Sequence, residues 1–340
     1  LTPEGYPLLG LVYLPAEEFR ELLGALERRW RTQRAELRRV ARRAGQALGG
    51  GERSTGPDLP PGLGAELRQR LIDEALQLAD PLEGGFGGPN KFPQVPQMLA
   101  LMDALQQRPD DALERFLRVT LDHMAERGLR DHLRGGFFRY VVDPGWEVPH
   151  FEKMLYDNAL LAELYLRAAR EFAEPRYREV AFETLDFMRA EMGRGNGGLL
   201  ASLSAVDGAG VEGGFYLWSD HDLQRALSEA QRSVAELVWG LNGPPELPDG
   251  HHLSRGSATL EQAADRLGIS VAEARRRLEG ARDALLRVQR QRTLPRDTKV
   301  LAGWNGLALR AFSRAAAEEP GYRDAARAIR DYLVQRLWRD

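Results

Sequence analysis

Apolar residues recur at helical spacing along most of the chain, and one-sided amphipathic segments alternate with segments that are apolar nearly all round. Segment 151–172 is of the apolar kind, whereas 176–192 carries charge on one side. Helices of the first kind are expected inside the fold, and those of the second kind in an outer layer. The segments with helical spacing are 16–47, 65–80, 94–107, 111–127, 151–172, 176–192, 220–240, 271–292, 305–318 and 322–338.

Repeated outer–inner helix pairs that close on themselves form an α/α barrel, so the pattern predicts a mainly α protein of this class. An open solenoid of helix pairs has the same periodicity and is the structural alternative. Loops rich in glycine and aromatic residues precede the apolar helices, and in a barrel they gather at one mouth. These loops are 84–93, 135–150, 213–218 and 296–304.

The first sixty residues follow another pattern. Pro3-Glu4-Gly5 predicts a turn, Tyr6–Leu14 an apolar strand, and Ala16–Ala47 a long helix, an order similar to the C-terminal half of a thioredoxin fold. A Gly- and Pro-rich stretch follows. We therefore predict a thioredoxin-like remnant at 1–48, a linker at 49–62 and the barrel domain at 63–340. Because the chain starts without Met and stops directly after a helix, we expect it to be a piece of a longer protein.

Composition excludes several classes of partner. The formal charge of -3 over 340 residues gives no electrostatic case for nucleic acid or an anionic membrane, and no run of about 18 apolar residues is present. The absence of cysteine excludes disulfides, thiolate metal sites and thiol catalysis, and is typical of a cytoplasmic protein. His251 and His252 lack nearby ligands other than Asp249, so we expect no metal, and no cofactor. The oligomeric state stays open.

One stretch, Trp146–Asn158, gathers most of the side chains capable of acid/base chemistry. Pro149 stops any upstream helix, and the pattern predicts that a new helix begins at Phe151, which places His150 and Glu152 at a helix N-terminus. Such an end carries unpaired N–H groups and suits a polar ligand. Simple capping of the helix is the alternative.

Lysine is used at only three of the 47 basic positions, Lys91, Lys153 and Lys299, and the others are arginine. Each lysine precedes an apolar helix in a loop with glycine or aromatic residues. Lysine differs from arginine in being a compact charge whose pKa falls readily on burial. We infer that these three positions require an amine.

The same loops resemble the thioredoxin-domain-containing family that includes spermatogenesis-associated protein 20. The matching stretches are 84–93 (Gly-Gly-Phe-Gly-Gly-Pro-Asn-Lys-Phe-Pro), 135–140, 146–161, 213–218 and 299–307. The resemblance implies a thioredoxin-like domain followed by an (α/α)6 barrel similar to N-acylglucosamine 2-epimerases and six-hairpin glycosidases. It also implies that the rest of the thioredoxin-like domain precedes Leu1 and that further barrel helices follow Asp340.

Two positions depart from the family pattern. Ala205-Val206-Asp207 stands where the family has Asp-Ala-Asp, and Gly214 stands where it has lysine before Phe-Tyr. If the carboxylate pair is catalytic in the family, this chain keeps one half of it.

A mouth rich in Trp and Tyr with carboxylates suits a carbohydrate ligand, because sugar ring faces stack on aromatics and hydroxyls pair with polar groups. The expected catalytic residues are His150, Glu152, Lys153, Asp157 and Asp207. The expected binding residues are Lys91, Arg139, Tyr140, Trp146, Asn158, Tyr216, Trp218, Lys299, Trp304 and Asn305.

Three functions stay open from the sequence. In an epimerase-like route, His150 removes a proton next to a carbonyl while Lys153 or Arg139 stabilises the enolate. In a glycosidase-like route, Glu152 or Asp157 acts with Asp207 as acid and base. The third hypothesis is a non-catalytic, redox-linked binding or scaffold protein.

Overall fold

The structure, a computed structural model, describes residues 1–11, 14–49, 62–241, 243, 245, 247–248 and 250–338. The chain divides into two compact units, Leu1–Glu66 and Leu67–Asp340, and each is described by itself. Within the described residues, no helix is long and apolar enough to cross a membrane.

The protein is mainly helical, as the periodicity predicts. The helices are α1 Ala16–Gly49, α2 Leu63–Leu78, α3 Val95–Gln107, α4 Asp111–Glu126, α5 Leu155–Glu171, α6 Pro175–Glu191, α7 Asp220–Ala226, α8 Glu229–Trp239, α9 Leu260–Leu267, α10 Val271–Gln289, α11 Ala302–Ala315 and α12 Arg323–Tyr332. The strands have two residues each: β1 Tyr140–Val141, β2 Pro149–His150, β3 Lys153–Met154, β4 Ser202–Leu203 and β5 Arg296–Asp297.

The first unit contains the predicted long helix, with non-helical backbone angles at Gln33 inside α1. The predicted turn forms, because the Gly5 N–H donates to the Thr2 carbonyl over 2.9 Å. The predicted strand does not form at residues 6–11 or 14, and its residues 12 and 13 lie outside the described ones. A strand needs a pairing partner, and the described part of this unit contains no other strand. Most of the predicted linker, residues 50–61, also lies outside the described residues.

The second unit is built from inner and outer helices. The inner helix α5 lies between α3 and α11, while α4, α6 and α12 pack outside α3, α5 and α11 respectively. On α5, buried residues occur on nearly every side, whereas α6 buries mainly one face. This is the layered arrangement of an incomplete α/α barrel, and it confirms the predicted fold class.

The predicted alternation is wrong between α6 and α11. Segment 220–240 breaks into α7 and α8 at Ser228, whose side chain and Gln231 form a capping box. Helices α7 to α10 pack on one another around a cluster that includes Trp218, Trp239 and Leu285. Inner helix α5 packs directly against α11 instead. Amphipathic spacing identifies a buried face but not its partner, so the sequence pattern did not reveal this insertion.

Short strands organise the loops before the inner helices. β1 pairs with β2, placing Tyr140 opposite His150, and β3, β4 and β5 form an antiparallel sheet. The prediction that a helix begins at Phe151 is therefore wrong, because 149–150 and 153–154 are strand residues and α5 begins at Leu155. His150 and Glu152 precede the helix in extended backbone and do not cap it.

Two of the three lysines are buried anchors for glycine loops. Lys153 Nζ donates to Asp131 Oδ2 over 2.6 Å and to the Gly135 carbonyl over 2.8 Å. Lys91 Nζ makes the equivalent bonds to Asp80 and to the Gly84 carbonyl, both 2.7 Å long. The two loops share the sequence Asp-x-Leu-x-Gly-Gly-Phe at 80–86 and 131–137. Burial alone would raise the pKa of Asp131, but Lys153 and two backbone N–H donors hold that pKa below its ordinary value.

Replacing Lys153 by methionine should destabilise the protein strongly. The variant leaves the buried Asp131 carboxylate without its cation, which typically costs about 3–5 kcal/mol. Urea unfolding at neutral pH measures the change. Lys299→Met is the matched control, because Lys299 is 71% exposed and its pair with Asp297 is screened by solvent. Equal stability changes in the two variants would contradict the anchoring role.

Candidate active site

Polar side chains converge where β1, β2 and the start of α5 meet. His150 Nδ1 lies 2.7 Å from Glu212 Oε1, and His150 Nε2 lies 3.9 Å from Glu152 Oε2. The same Glu152 oxygen accepts a hydrogen bond of 3.1 Å from Arg139 Nη1. Because a carboxylate only accepts, the bond to Glu212 places a proton on Nδ1 and leaves Nε2 as the accepting nitrogen. We call the following residues the His150 cluster: Arg139, His150, Glu152, Tyr156, Asp157 and Glu212.

Backbone pairing brings these side chains together. The Arg139 N–H donates to the Glu152 carbonyl over 2.9 Å, just beyond the β1–β2 ladder that holds His150. Glu212 comes from a separate hairpin, in which it lies opposite Val206. The first turn of α5 adds Tyr156 and Asp157 to the cluster.

Asp157 is the most perturbed carboxyl group of the cluster. Burial raises its pKa to about 7, and Glu152 adds to the rise, while Arg139 and Tyr156 oppose it. Its Oδ2 atom is buried and has no hydrogen-bond partner, so the protein stabilises the anion poorly. Burial and the charge of Asp157 also raise the pKa of Tyr156. A carboxyl group balanced near neutrality is suited to giving and taking protons.

Aromatic rings flank the cluster. The Tyr140 ring stacks on the His150 imidazole with centroids 4.9 Å apart, and on its neighbour Phe92 at 4.6 Å. On another side, Trp304 packs against Tyr156 at 4.9 Å. The site therefore combines apolar ring faces with hydrogen-bonding groups.

Several predicted binding residues lie inside the protein instead. Lys91 and Lys153 are the anchors described above. Trp146 is fully buried, and its indole N–H donates to the Glu83 carbonyl over 2.9 Å. Asn158 bonds both backbone groups of Phe137 through its side chain. These contacts give the four residues structural roles, so we do not include them in the candidate ligand site.

The same holds for predicted residues farther along the chain. Asn305 bonds both backbone groups of Leu199, repeating on α11 what Asn158 does on α5. Tyr216 and Trp218 are buried, and the ring of Trp218 lies under the Arg292 guanidinium, 4.3 Å away. Neither ring reaches solvent, although the Tyr216 hydroxyl and the Trp218 indole nitrogen are buried without a hydrogen-bond partner among the described residues.

Asp207 and Lys299 are held by local contacts. Asp207 Oδ1 accepts from the N–H groups of Ala209 and Val211 and so closes its own turn. A Cβ added to Gly214 would lie 2.4 Å from Asp207 Oδ2, which means that the carboxylate fills the space beside this glycine. The glycine at position 214 therefore lies directly beside the aspartate that this chain keeps. Lys299 pairs with Asp297 at the surface.

The sequence prediction missed Glu212, although it lies closer to His150 than the predicted Glu152 does. A signal was present, since Glu212-Gly213-Gly214-Phe215 repeats the motif Glu-Gly-Gly-Phe of 83–86. His251 binds Asp220 at 2.9 Å and His252 binds the Gly128 carbonyl at 2.8 Å. In the part of the chain that the structure describes, no three potential ligands form a metal site.

Comparisons with known proteins give relatives over most of the chain. Human spermatogenesis-associated protein 20 is 30% identical over 93% of this chain and 45% of its own length. An uncharacterised protein of Caenorhabditis elegans is 26% identical over 98% of this chain and 50% of its own length. The chain thus spans about half the length of the curated relatives it matches. No protein-family profile matches it.

Solved structures give weaker matches. A family 76 glycoside hydrolase from a Bacteroides thetaiotaomicron strain is 11% identical with a TM-score of 0.45, covering 80% of this chain and 43% of the hydrolase. A sugar epimerase from a ruminal bacterium is 12% identical with a TM-score of 0.38, covering 80% and 87%. The cellobiose 2-epimerase of Spirochaeta thermophila is 16% identical with a TM-score of 0.38, covering 82% and 87%.

Replacing Asp157 by asparagine should stabilise the protein at pH 8 but not near pH 4. With a folded-state pKa of about 7 against an ordinary 3.8, the folded protein binds more protons between these values, and its stability falls as pH rises. The neutral amide removes this loss, which we expect to be roughly 2–4 kcal/mol at pH 8. Urea unfolding at both pH values measures it.

Asp111→Asn is the matched control, because Asp111 also lies in the first turn of a helix but is exposed. That variant should lose stability at pH 8, since a carboxylate interacts favourably with a helix N-terminus. A gain at pH 8 in both variants, or in neither, would contradict the account of Asp157.

Proposed function

We propose that the His150 cluster binds a carbohydrate and transfers a proton on the carbon next to its carbonyl group, as in sugar epimerisation or isomerisation. The observation that carries the proposal is the placement of His150 between the carboxylates of Glu152 and Glu212, in a cluster where Glu152 and Arg139 also act on an aspartate whose pKa is about 7. Histidine is a common general base in enzymes, and a carboxyl group such as Asp157 can serve as the second proton-transfer group.

The surroundings of the cluster favour a sugar over other small polar ligands. The half-buried ring of Trp304 offers an apolar surface against which the C–H face of a sugar ring can pack, while Tyr140 holds the His150 imidazole by stacking on it. Arg139 and Glu152 offer a donor and an acceptor to hydroxyl groups. Such a mixture of stacking rings and few convergent polar groups is typical of a small-molecule site.

In the proposed mechanism, His150 Nε2 is the base. Glu212 holds the Nδ1 proton, so Nε2 takes the proton from the carbon next to the open-chain carbonyl, and the C–H electron pair forms an enolate. The Arg139 guanidinium stabilises the developing oxyanion. Glu152 stabilises the imidazolium. Protonated Asp157 returns a proton to the same carbon from the other face, which gives the epimer and leaves the carboxylate to be reprotonated by exchange.

The structure narrows the routes that the sequence left open. Lys153 is enclosed by Asp131 and the Gly135 carbonyl, so Arg139 is the remaining candidate for stabilising the enolate. Asp207 is bonded within its own turn, which removes one partner from the glycosidase-like pair. We therefore favour the epimerase-like route over hydrolysis.

Proton exchange provides the direct test. The 340-residue chain is incubated in D₂O with reducing sugars, and deuterium incorporation next to the carbonyl is followed by NMR. His150→Gln should lower the exchange rate by about 10²–10⁴-fold, the usual contribution of a general base. His221→Gln, at an exposed histidine of α7, is the matched control and should leave the rate unchanged. Exchange that persists in His150→Gln, or is absent from the parent with every sugar, would overturn the proposal.

Glu212 should act as a positioning residue for His150. Glu212→Ala removes a charge-assisted hydrogen bond of about 1.5–3 kcal/mol, so we expect kcat to fall roughly ten- to hundredfold with little change in KM. The glutamine of Glu212→Gln can still accept the hydrogen bond from the Nδ1 proton, so kcat should fall less in this variant. Steady-state kinetics of both variants measure the difference. A rise in KM with unchanged kcat would instead indicate that Glu212 binds the substrate.

A further inference from the structure

Phe92 presents an aromatic ring to solvent beside the His150 cluster. Its side chain is 41% exposed, and it is the only exposed phenylalanine in the described part of the second unit. Single exposed apolar residues are common on proteins and by themselves indicate nothing. Two further features of Phe92 are informative: its backbone is held on both sides, and its ring stacks on Tyr140.

The backbone at Phe92 is fixed on both sides. Lys91 is fully buried in its bonds to Asp80 and Gly84, and its backbone exchanges two hydrogen bonds, of 3.1 and 3.0 Å, with Val141 of β1. On the other side, Pro93 is buried. In extended backbone, neighbouring residues face opposite sides, so the burial of Lys91 and Pro93 directs Phe92 outward.

Phe92 also continues a stack of rings that begins at the proposed base. The planes of Phe92 and Tyr140 are inclined by 20° with centroids 4.6 Å apart, and those of Tyr140 and His150 by 24° at 4.9 Å. The three rings therefore form a face-to-face stack in which Tyr140 lies between His150 and Phe92, and Phe92 is the solvent-exposed end of the stack. An exposed aromatic ring that is held in place in this way can pack against the apolar face of a sugar ring.

We propose that Phe92, backed by Tyr140, forms a second sugar subsite, so that the substrate contains at least two linked sugar residues. The reducing residue occupies the His150 cluster, and a following residue packs against the exposed ring of Phe92. The inference rests on the proposed function, since it assigns a substrate class to the same site. It also gives Lys91 a function, because the buried amine holds the loop that presents Phe92.

The test compares exchange on single and linked sugars. Deuterium incorporation in D₂O is measured for glucose and mannose, and for the disaccharides cellobiose, maltose and lactose. In the parent chain, kcat/KM should be higher for at least one disaccharide than for either monosaccharide. We follow the ratio of kcat/KM for that disaccharide to kcat/KM for the better monosaccharide. Phe92→Ala should reduce this ratio about three- to tenfold, as expected for one lost stacking contact, and Phe92→Trp should retain it.

Phe19→Ala is the matched control, because Phe19 lies in the other unit and is similarly exposed, at 44%. Its ratio should equal that of the parent. A parent that exchanges monosaccharides as well as disaccharides would overturn the second subsite alone, as would a Phe92→Ala variant whose ratio is unchanged. A parent that exchanges none of the five sugars would overturn the proposed function and the subsite together.

Discussion

The geometry of the second unit depends on the buried ion pair between Lys153 and Asp131. The ammonium joins the 131–137 loop to the residues immediately before α5, and three rings surround it at 4.4–5.3 Å: Phe138, Phe187 and Tyr216. Lys153 is also the first residue of β3, which pairs with β4, and β4 in turn pairs with β5. A charge this deep is tolerated only where its partners are fixed, so the pair determines where α5 begins.

Buried anchors and more exposed side chains alternate along the extended segments that precede the inner helices. Lys153 is buried while Glu152 is half exposed, and Lys91 is buried while Phe92 is exposed. This is the two-residue period of a strand, in which each inward side chain directs its neighbour outward. The two lysine loops are near repeats, and Asn158 and Asn305 repeat one amide-to-backbone pairing on two inner helices. A repeated framework thus supports a site whose own residues do not repeat.

Asp157 costs the folded protein stability at alkaline pH, because its surroundings disfavour the anion. Its carboxyl group has a raised pKa because burial and Glu152 disfavour the anion, and its buried oxygen lacks a donor. Elsewhere the buried carboxylate Asp131 is fully paired. The two buried carboxylates therefore differ in their surroundings, because those of Asp131 stabilise the anion and those of Asp157 disfavour it.

The sequence alone determined most of the helices, the inner and outer layers formed by α3 to α6, α11 and α12, and the stretch containing His150, because hydrophobic spacing and proline are local signals. Tertiary structure decided which of the chemically capable residues are buried anchors and which come together in the His150 cluster. Glu212 reaches His150 from 62 positions along the chain, helices α7 to α10 pack on one another while α5 packs directly against α11, and Lys153 is fully buried. Each of these outcomes depends on partners distant in sequence, since strand pairing and burial are fixed by contacts that no local pattern contains.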